Sequence, residues 1–299
     1  MRVTNSMVVN NLLSNLGKNA TRLSKYQNQV STGKRITKLS DDPVGASYSI
    51  RYSTDISKEK QYLSNISSSK EILTATETAL TSANDVLERI RDLTVQAAGT
   101  ASSESSTRSI QVEMEELKEE LVNLANTSYN GRYIFSGYKT DKQLLSEDGK
   151  YAITVEDTEQ INYQISENNT MQVNTLGTDI FGLGKEGDTP KIIADIDKLI
   201  NAVSSGNSEE ISKSLTDLDD AQDSILAGIT EIGGKINRLE LAKSRVTNNV
   251  TYLGEAKSLN DDVDSAEAVT NLYTEKAVYS AALQVGATII QQSLLDFLR

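Results

Sequence analysis

ISKSLTDLDDAQDSILAGITEIGGKINRLELAKSRVTNNVTYL, residues 211–253, places Ile211, Leu215, Leu218, Gln222, Ile225, Ile229, Ile232, Ile236, Leu239, Lys243, Val246, Val250 and Leu253 at spacings that alternate four and three. Only Gln222 and Lys243 in that column are polar. A seven-residue repeat of this kind is a helix that buries one seam against another helix. The run predicts a helix roughly 64 Å long at about 1.5 Å per residue. Gly233 and Gly234 fall inside it, and each costs up to about 1 kcal/mol relative to alanine. They are expected to permit close backbone approach or a bend.

The same pattern recurs outward along the chain. Residues 44–98 carry Leu63, Ile66, Leu73, Leu80 and Leu87, with Lys70, Glu77 and Asn84 at the alternate positions, so this stripe is narrower. Ile110, Met114, Leu117, Leu121 and Leu124 form a third, ending at the turn-prone TSYNG. At the N-terminus Val9, Leu12, Leu16, Asn19, Leu23, Tyr26 and Val30 make a heptad seam. The C-terminal stripe, Val269, Leu272, Tyr279, Leu283, Ile290, Leu294 and Phe297, is looser and broken by Lys276 and Gly286. An amphipathic helix alone in water is marginal. The two ends must therefore pair with each other, pair with other subunits, or fray.

Between these runs the period changes to two. Tyr151, Ile153 and Val155 alternate, as do Ile161, Tyr163 and Ile165, then Met171 and Val173, with SEDGK and SENNT as turns. The fold class that follows is mainly α: long antiparallel helices in a coiled-coil or helical-bundle rod with a small β insert. Residues 1–40 and 256–299 are the two halves of a terminal coiled-coil domain. Residues 41–132 and 186–255 are the two halves of a helical body, with a further helix at about 189–204. Residues 133–185 are the insert, closed by FGLGKEG.

Composition narrows the function. Thirty Lys+Arg against 42 Asp+Glu give a net charge of -12, which argues against nucleic acid as a partner. Two prolines and three phenylalanines suit long helices with thin cores. No window holds the about 18 consecutive apolar residues of a membrane span, so no membrane partner is expected. The N-terminal MRVTNSMVVNNLLSNLGKN lacks the continuous apolar segment of a cleavable signal peptide. With no histidine and no cysteine, Ser–His and Cys–His nucleophilic arrangements are excluded.

The carboxylate clusters allow two readings. Asp41 and Asp42 could be an acid pair for metal or general acid–base work. Alternatively Asp42 is an N-cap and Pro43 the first helical residue, where its fixed φ and missing N–H suit a helix start. No third ligand stands nearby, so Asp41, Asp42 and Pro43 are read as a helix start and hinge. Asp261, Asp262 and Asp264 in SLNDDVDSAEAV look like a loop into a capped helix. Ser265 stands where a calcium loop needs glycine. GLGKEG lacks the GxxxxGK[ST] form of a phosphate loop. Asn19, among apolar heptad neighbours, is read as a register-setting polar position, and Gly33-Lys34-Arg35 as a solvated loop. No enzyme activity, metal or cofactor is expected.

STGKRITKLSDDPVGAS (31–47), LERIRDLTVQAAGT (87–100), NGRYIFSGYKT (130–140) and LQVGATIIQQSLLDFLR (283–299) together resemble the flagellin superfamily. NGRYIFSG and SLLDFL are similar to its hook–filament junction branch, while Leu298-Arg299 leans toward the filament branch. The resemblance implies a secreted structural protein of the bacterial flagellum, passing through the flagellar export apparatus without a cleaved signal. It would polymerise at the hook–filament junction. Its partners would be copies of itself, the proximal hook-associated junction protein, flagellin, and an export chaperone for the C-terminal segment. Subunit contacts would fall on Val9, Leu12, Leu16, Leu23, Leu283, Ile290, Leu294 and Phe297. A filament subunit is the alternative, and a free-standing coiled-coil scaffold would leave GRYIFSG and the β insert unexplained.

Overall fold

A computed structural model describes residues 5–99 and 104–297, with side chains over 7–99, 106–207 and 209–288. The helices are α1 (Asn5–Thr32), α2 (Pro43–Gly99), α3 (Glu104–Ala125), α4 (Gly177–Phe181), α5 (Lys191–Ser205), α6 (Ser208–Asp261) and α7 (Ser265–Phe297). Two antiparallel hairpins interrupt them, β1 (Ser128–Tyr129) with β2 (Arg132–Tyr133), and β3 (Asn162–Ser166) with β4 (Asn169–Gln172). The chain divides into two compact units. One joins Met1–Lys58 to Asn248–Arg299, and the other is Glu59–Thr247. The terminal unit therefore takes in the first turns of α2 and the last turns of α6.

In the second unit the heptad seam of α6 splits into two columns. Leu218, Ile225, Ile232, Leu239 and Val246 are fully buried, whereas Leu215, Gln222, Ile229 and Ile236 are half-buried. Beside the large column runs a small one of Ser214, Ala221, Gly228 and Ala242, also buried. α2 does the same: Ile66, Leu73, Leu80 and Leu87 alternate with buried Ser69, Thr76 and Ala83. Large side chains on one helix need small ones opposite if the interior is to reach organic-crystal density. The hydroxyls of Ser69 and Thr76 are satisfied by the carbonyls four residues back, at 2.7 and 2.9 Å. Burying them therefore leaves no unpaired donor. The sequence stripe looked narrow because these small polar residues do not read as core.

Ion pairs and hydrogen bonds give the register. Lys70 meets Glu240, Gln222 donates to Glu88, and Arg91 meets Asp219. Each step along α2 is matched by an equal step back along α6, so the helices run antiparallel without a slip. Gly233 and Gly234 are not points of close approach, since a Cβ at either would meet nothing within 4 Å. The close approach is at Gly228, where a Cβ would stand 2.5 Å from Ile180 Cδ1 and 3.5 Å from Leu80 Cδ1. Glycine leaves room for Ile180 where the insert lies on the helix.

The insert differs from expectation in one place. Tyr151, Ile153 and Val155 alternate inward and are buried, but they form no strand. Tyr151 makes only an isolated bridge to Leu145, and its N–H and C=O go instead to Asp188 and Gly187 of the FGLGKEGD loop, both at 2.9 Å. Alternation reports which face is buried; a ladder also needs a neighbouring strand. The β3–β4 hairpin does form, turning at Glu167-Asn168 with Ile165 and Met171 inward.

NGRYIFSG anchors the insert. Asn130 and Gly131 both take positive φ, 50° and 74°, as a two-residue hairpin between β1 and β2 requires. Phe135 is 1 % exposed and meets Phe181 edge to face, with ring centroids 5.7 Å apart. Its carbonyl accepts from the Gly177 N–H at 3.0 Å. Ser136, fully buried, donates to the Lys142 carbonyl at 2.9 Å.

Candidate assembly joint

In the terminal unit α1 packs along α7, so the two ends find partners in each other. The seam on α1 is Val9, Leu12, Leu16, Leu23 and Tyr26, all half-buried, with Asn19 buried. On α7 the inward column is Ala268, Leu272, Glu275, Tyr279, Ala282 and Gly286. Gly286 does not break this stripe. It is buried, and a Cβ there would stand 3.1 Å from Leu12 Cδ2, so its absence lets α1 approach. Val269 and Leu283 face outward, 38 % and 47 % exposed. The side chains of Ile290, Leu294 and Phe297 lie outside the described residues. At the centre of the pair Arg22 donates to Asn19 Oδ1 at 2.6 Å and meets Glu275 at 3.0 Å.

Below this pair two loops cross. Gly33, at φ 69°, ends α1 with its N–H on the Gln29 carbonyl at 2.8 Å. The next residues are exposed, as a solvated loop would be, but they are tied to the segment 260–263. The Arg35 N–H donates to the Asp261 carbonyl at 2.6 Å and the Val263 N–H to the Gly33 carbonyl at 3.0 Å. The Arg35 guanidinium donates to the Asn260 carbonyl at 2.9 Å and to Asp42 at 3.1 Å, and Lys34 pairs with Asp262. Asn260 donates to the Gly45 carbonyl at 2.8 Å, and Ser49 to Asp261 at 2.7 Å. These links join positions up to 230 residues apart (Gly33 and Val263), a distance no local pattern can signal.

Each carboxylate in the joint has a structural task. Asp42 Oδ1 accepts the Gly45 N–H at 3.0 Å, capping α2, with Pro43 as its first residue. Asp41 Oδ2 accepts from the Thr37 hydroxyl at 2.9 Å and from the Thr37 and Lys38 amides at 3.2 and 3.0 Å. Asp264 Oδ1 accepts the Ala266 N–H at 2.9 Å at the start of α7. Gly45 is closely approached here: a Cβ would stand 2.6 Å from both Asp42 Oδ2 and Ile36 Cδ1, so a larger residue would displace those side-chain ends. Among the described residues no three acidic groups converge as a metal site would need.

The same bonds set the titration. The Gly45 amide and then Arg35 hold the Asp42 carboxyl below its ordinary value. Lys34 and then Ser258 do so for Asp262. At Asp41 desolvation opposes ionisation, but the bonds from Thr37 and Lys38 outweigh it. A carboxyl with a depressed folded pKa stabilises the fold above its unfolded value of about 3.9 and stops doing so as pH falls through the folded value. In the other unit burial and then Asp157 and Glu231 raise Asp179, so protonation there favours the fold. In the same unit Lys70 holds Glu240 low, so mild acid is expected to spare the second unit, while stronger acid loosens the joint and also releases the Lys70–Glu240 pair, with separate amide-exchange profiles as the measurement. Asp42→Ala should loosen the start of α2 at neutral pH, and Asp42→Asn should keep the cap and lose only the bond from Arg35.

Comparison with known proteins supplies the remaining observations. A family model described as the bacterial flagellin N-terminal helical region matches residues 3–140, and one described as its C-terminal helical region matches residues 215–298. Flagellar hook-associated protein 3 of Escherichia coli is 27 % identical over 286 residues, covering 88 % of each chain. A flagellin of Bacillus subtilis is 27 % identical over 316 residues, covering all of both chains. The crystal structure of Bacillus cereus FlgL matches with a TM-score of 0.59 at 25 % identity, over 70 % of this chain and 99 % of that one.

Proposed function

The chain belongs to the flagellin family, and from that premise we propose that it is a structural subunit of the hook–filament junction. It forms a homopolymeric layer that seats on the proximal hook-associated protein and receives flagellin. Support comes from outward-facing apolar side chains that the α1–α7 pair does not cover. Leu13 is 56 % exposed and Val285 54 %, with Leu283 and Val278 on the same helix as Val285 also exposed. These exposed apolar side chains are available to a subunit interface. Val9, Leu12, Leu16 and Leu23 serve the α1–α7 pair, and with Leu283 they carry the subunit contacts; Ile290, Leu294 and Phe297, outside the described residues, are assigned to the same role from the sequence. Asp41, Asp42 and Pro43 are the hinge between the terminal pair and α2.

The observation that carries the junction reading is the anchoring of NGRYIFSG through buried Phe135 and Ser136, the segment that resembles the junction branch. The relation to Bacillus cereus FlgL agrees with it. The relation to Bacillus subtilis flagellin, over the full length of both chains, favours a filament subunit as the second reading. The protein works outside the cell after export through the flagellar apparatus, with a chaperone holding its C-terminal segment, and it performs no catalysis. Purified protein added to hooks that carry the proximal junction protein is expected to stop after a short layer and then accept flagellin, as seen by electron microscopy. Growth of this chain alone into a long filament would establish the second reading instead.

A further inference from the structure

Among the described residues the second unit carries an apolar knob on a rigid loop and, elsewhere on its surface, a groove with no occupant. The knob is Leu183, 78 % exposed between Gly182 and Gly184. A flexible loop would be free to fold such a side chain away, but this one is held. Tyr151 donates its hydroxyl to the Gly182 carbonyl. The Lys185 N–H donates to Asp188 Oδ2 at 2.9 Å, and the Glu186 N–H to Thr154 Oγ1 at 3.1 Å. Gly182 stands at φ 106°, and Gly184 lies so close to the Tyr151 ring that a Cβ would be 2.5 Å from Cε2. The ordering that a contact would otherwise impose is already present in the folded chain.

The groove has a volume of about 390 Å³ and lies where α2 meets both hairpins. Ile72, Tyr129, Tyr133 and Tyr163 line it, together with exposed Glu71 and Arg132. Aromatic walls with a pair of opposite charges can take an apolar side chain flanked by charges of both signs. The knob has that composition: Leu183 is followed by Lys185 and Glu186, complementary to Glu71 and Arg132. Among the described residues neither Arg132 nor Glu186 has an ion-pair partner.

We propose that the groove receives the Leu183 loop of a second copy of this chain. Knob and groove are different patches, so the contact is head-to-tail and propagates from copy to copy into a ring or helix, unlike a two-fold contact that stops at a dimer. The inference rests on the polymeric layer proposed above and supplies one lateral contact within it.

The chain has no cysteine, so introduced cysteines report the contact directly. Ser68 also lines the groove. Polymer formed from the Leu183→Cys/Ser68→Cys chain should oxidise to a ladder of covalent multimers. An equal mixture of the two single variants should stop at dimers, and neither single variant alone should cross-link. Leu183→Asp should weaken polymerisation by about tenfold or more, the least that burying a leucine contributes, with an unchanged melting curve, while Leu183→Met should polymerise normally. Arg132→Glu and Glu186→Arg should each weaken polymerisation, and the two together should restore it. Polymer that forms without the ladder and is indifferent to Leu183→Asp overturns the inference and leaves the junction function standing. Dimers from Leu183→Cys alone overturn it too, because knob would then meet knob. Polymer of the double-cysteine chain that ladders, while neither it nor the wild-type chain seats on hooks, overturns the junction function and leaves the inference standing.

Discussion

Deleting residues 287–299 is expected to abolish filament attachment while leaving the second unit folded. The deletion begins immediately after Gly286, the residue that lets α1 approach α7 at Leu12. It removes Ile290, Leu294 and Phe297, and burying side chains of this size contributes roughly 1.5–3 kcal/mol each. On the proposed assignment of these residues to assembly, several such contributions vanish together. Glu59–Thr247 has its own core, running from Ile66 to Val246 across α2, α3, α5, α6 and the insert. It should therefore still unfold cooperatively. Cells carrying only the truncated chain should make hooks without filaments and lose flagellin into the medium, visible by electron microscopy and by assay of the medium. Normal filaments would refute the assignment of these residues to assembly. Loss of cooperative unfolding in the truncated protein would instead refute the independence of the second unit.

Phe135→Ala should have the largest effect on stability of any single change in the NGRYIFSG segment. Truncating a fully buried phenylalanine costs about 3–5 kcal/mol, the lost burial plus the cavity left behind. Here the cavity would open against Phe181 and under the bond from Gly177 to the Phe135 carbonyl. Tyr138, the residue that follows this segment and 59 % exposed, provides the contrast. Its hydroxyl donates to the Gln160 carbonyl at 3.1 Å, and Tyr138→Phe should cost no more than about 1 kcal/mol. Urea unfolding of the two variants measures the difference. A small effect at Phe135 would mean that the insert is not anchored through this residue.

The two predictions draw on different kinds of information. Heptad spacing alone placed α2 within one residue of Pro43–Gly99 at each end and found most of α6, Ser208–Asp261, though its run ended at Leu253, and period two placed the β3–β4 hairpin at its SENNT turn. Asp-Asp-Pro marked the start of α2, since a capping carboxylate followed by a residue without an N–H is a local device. Flagellin-like motifs at both ends and at NGRYIFSG carried the family. All of these are written in residues that lie near one another along the chain.

What needed the tertiary structure was each decision made between distant residues. Gly33-Lys34-Arg35 reads as a loop until Asn260, Asp261 and Val263 are brought against it. Gly286 reads as a gap in a stripe until Leu12 lies over it, and Gly228 as an ordinary helix position until Ile180 does. Ser69 and Thr76 carry no apolar signal and yet are buried in the fold, and Tyr151 reads as strand until Asp188 takes its N–H. Periodicity tells which face of an element will be buried, because that depends on the element's own geometry. How closely the partner approaches, and which backbone groups it claims, depends on side chains supplied from elsewhere in the chain.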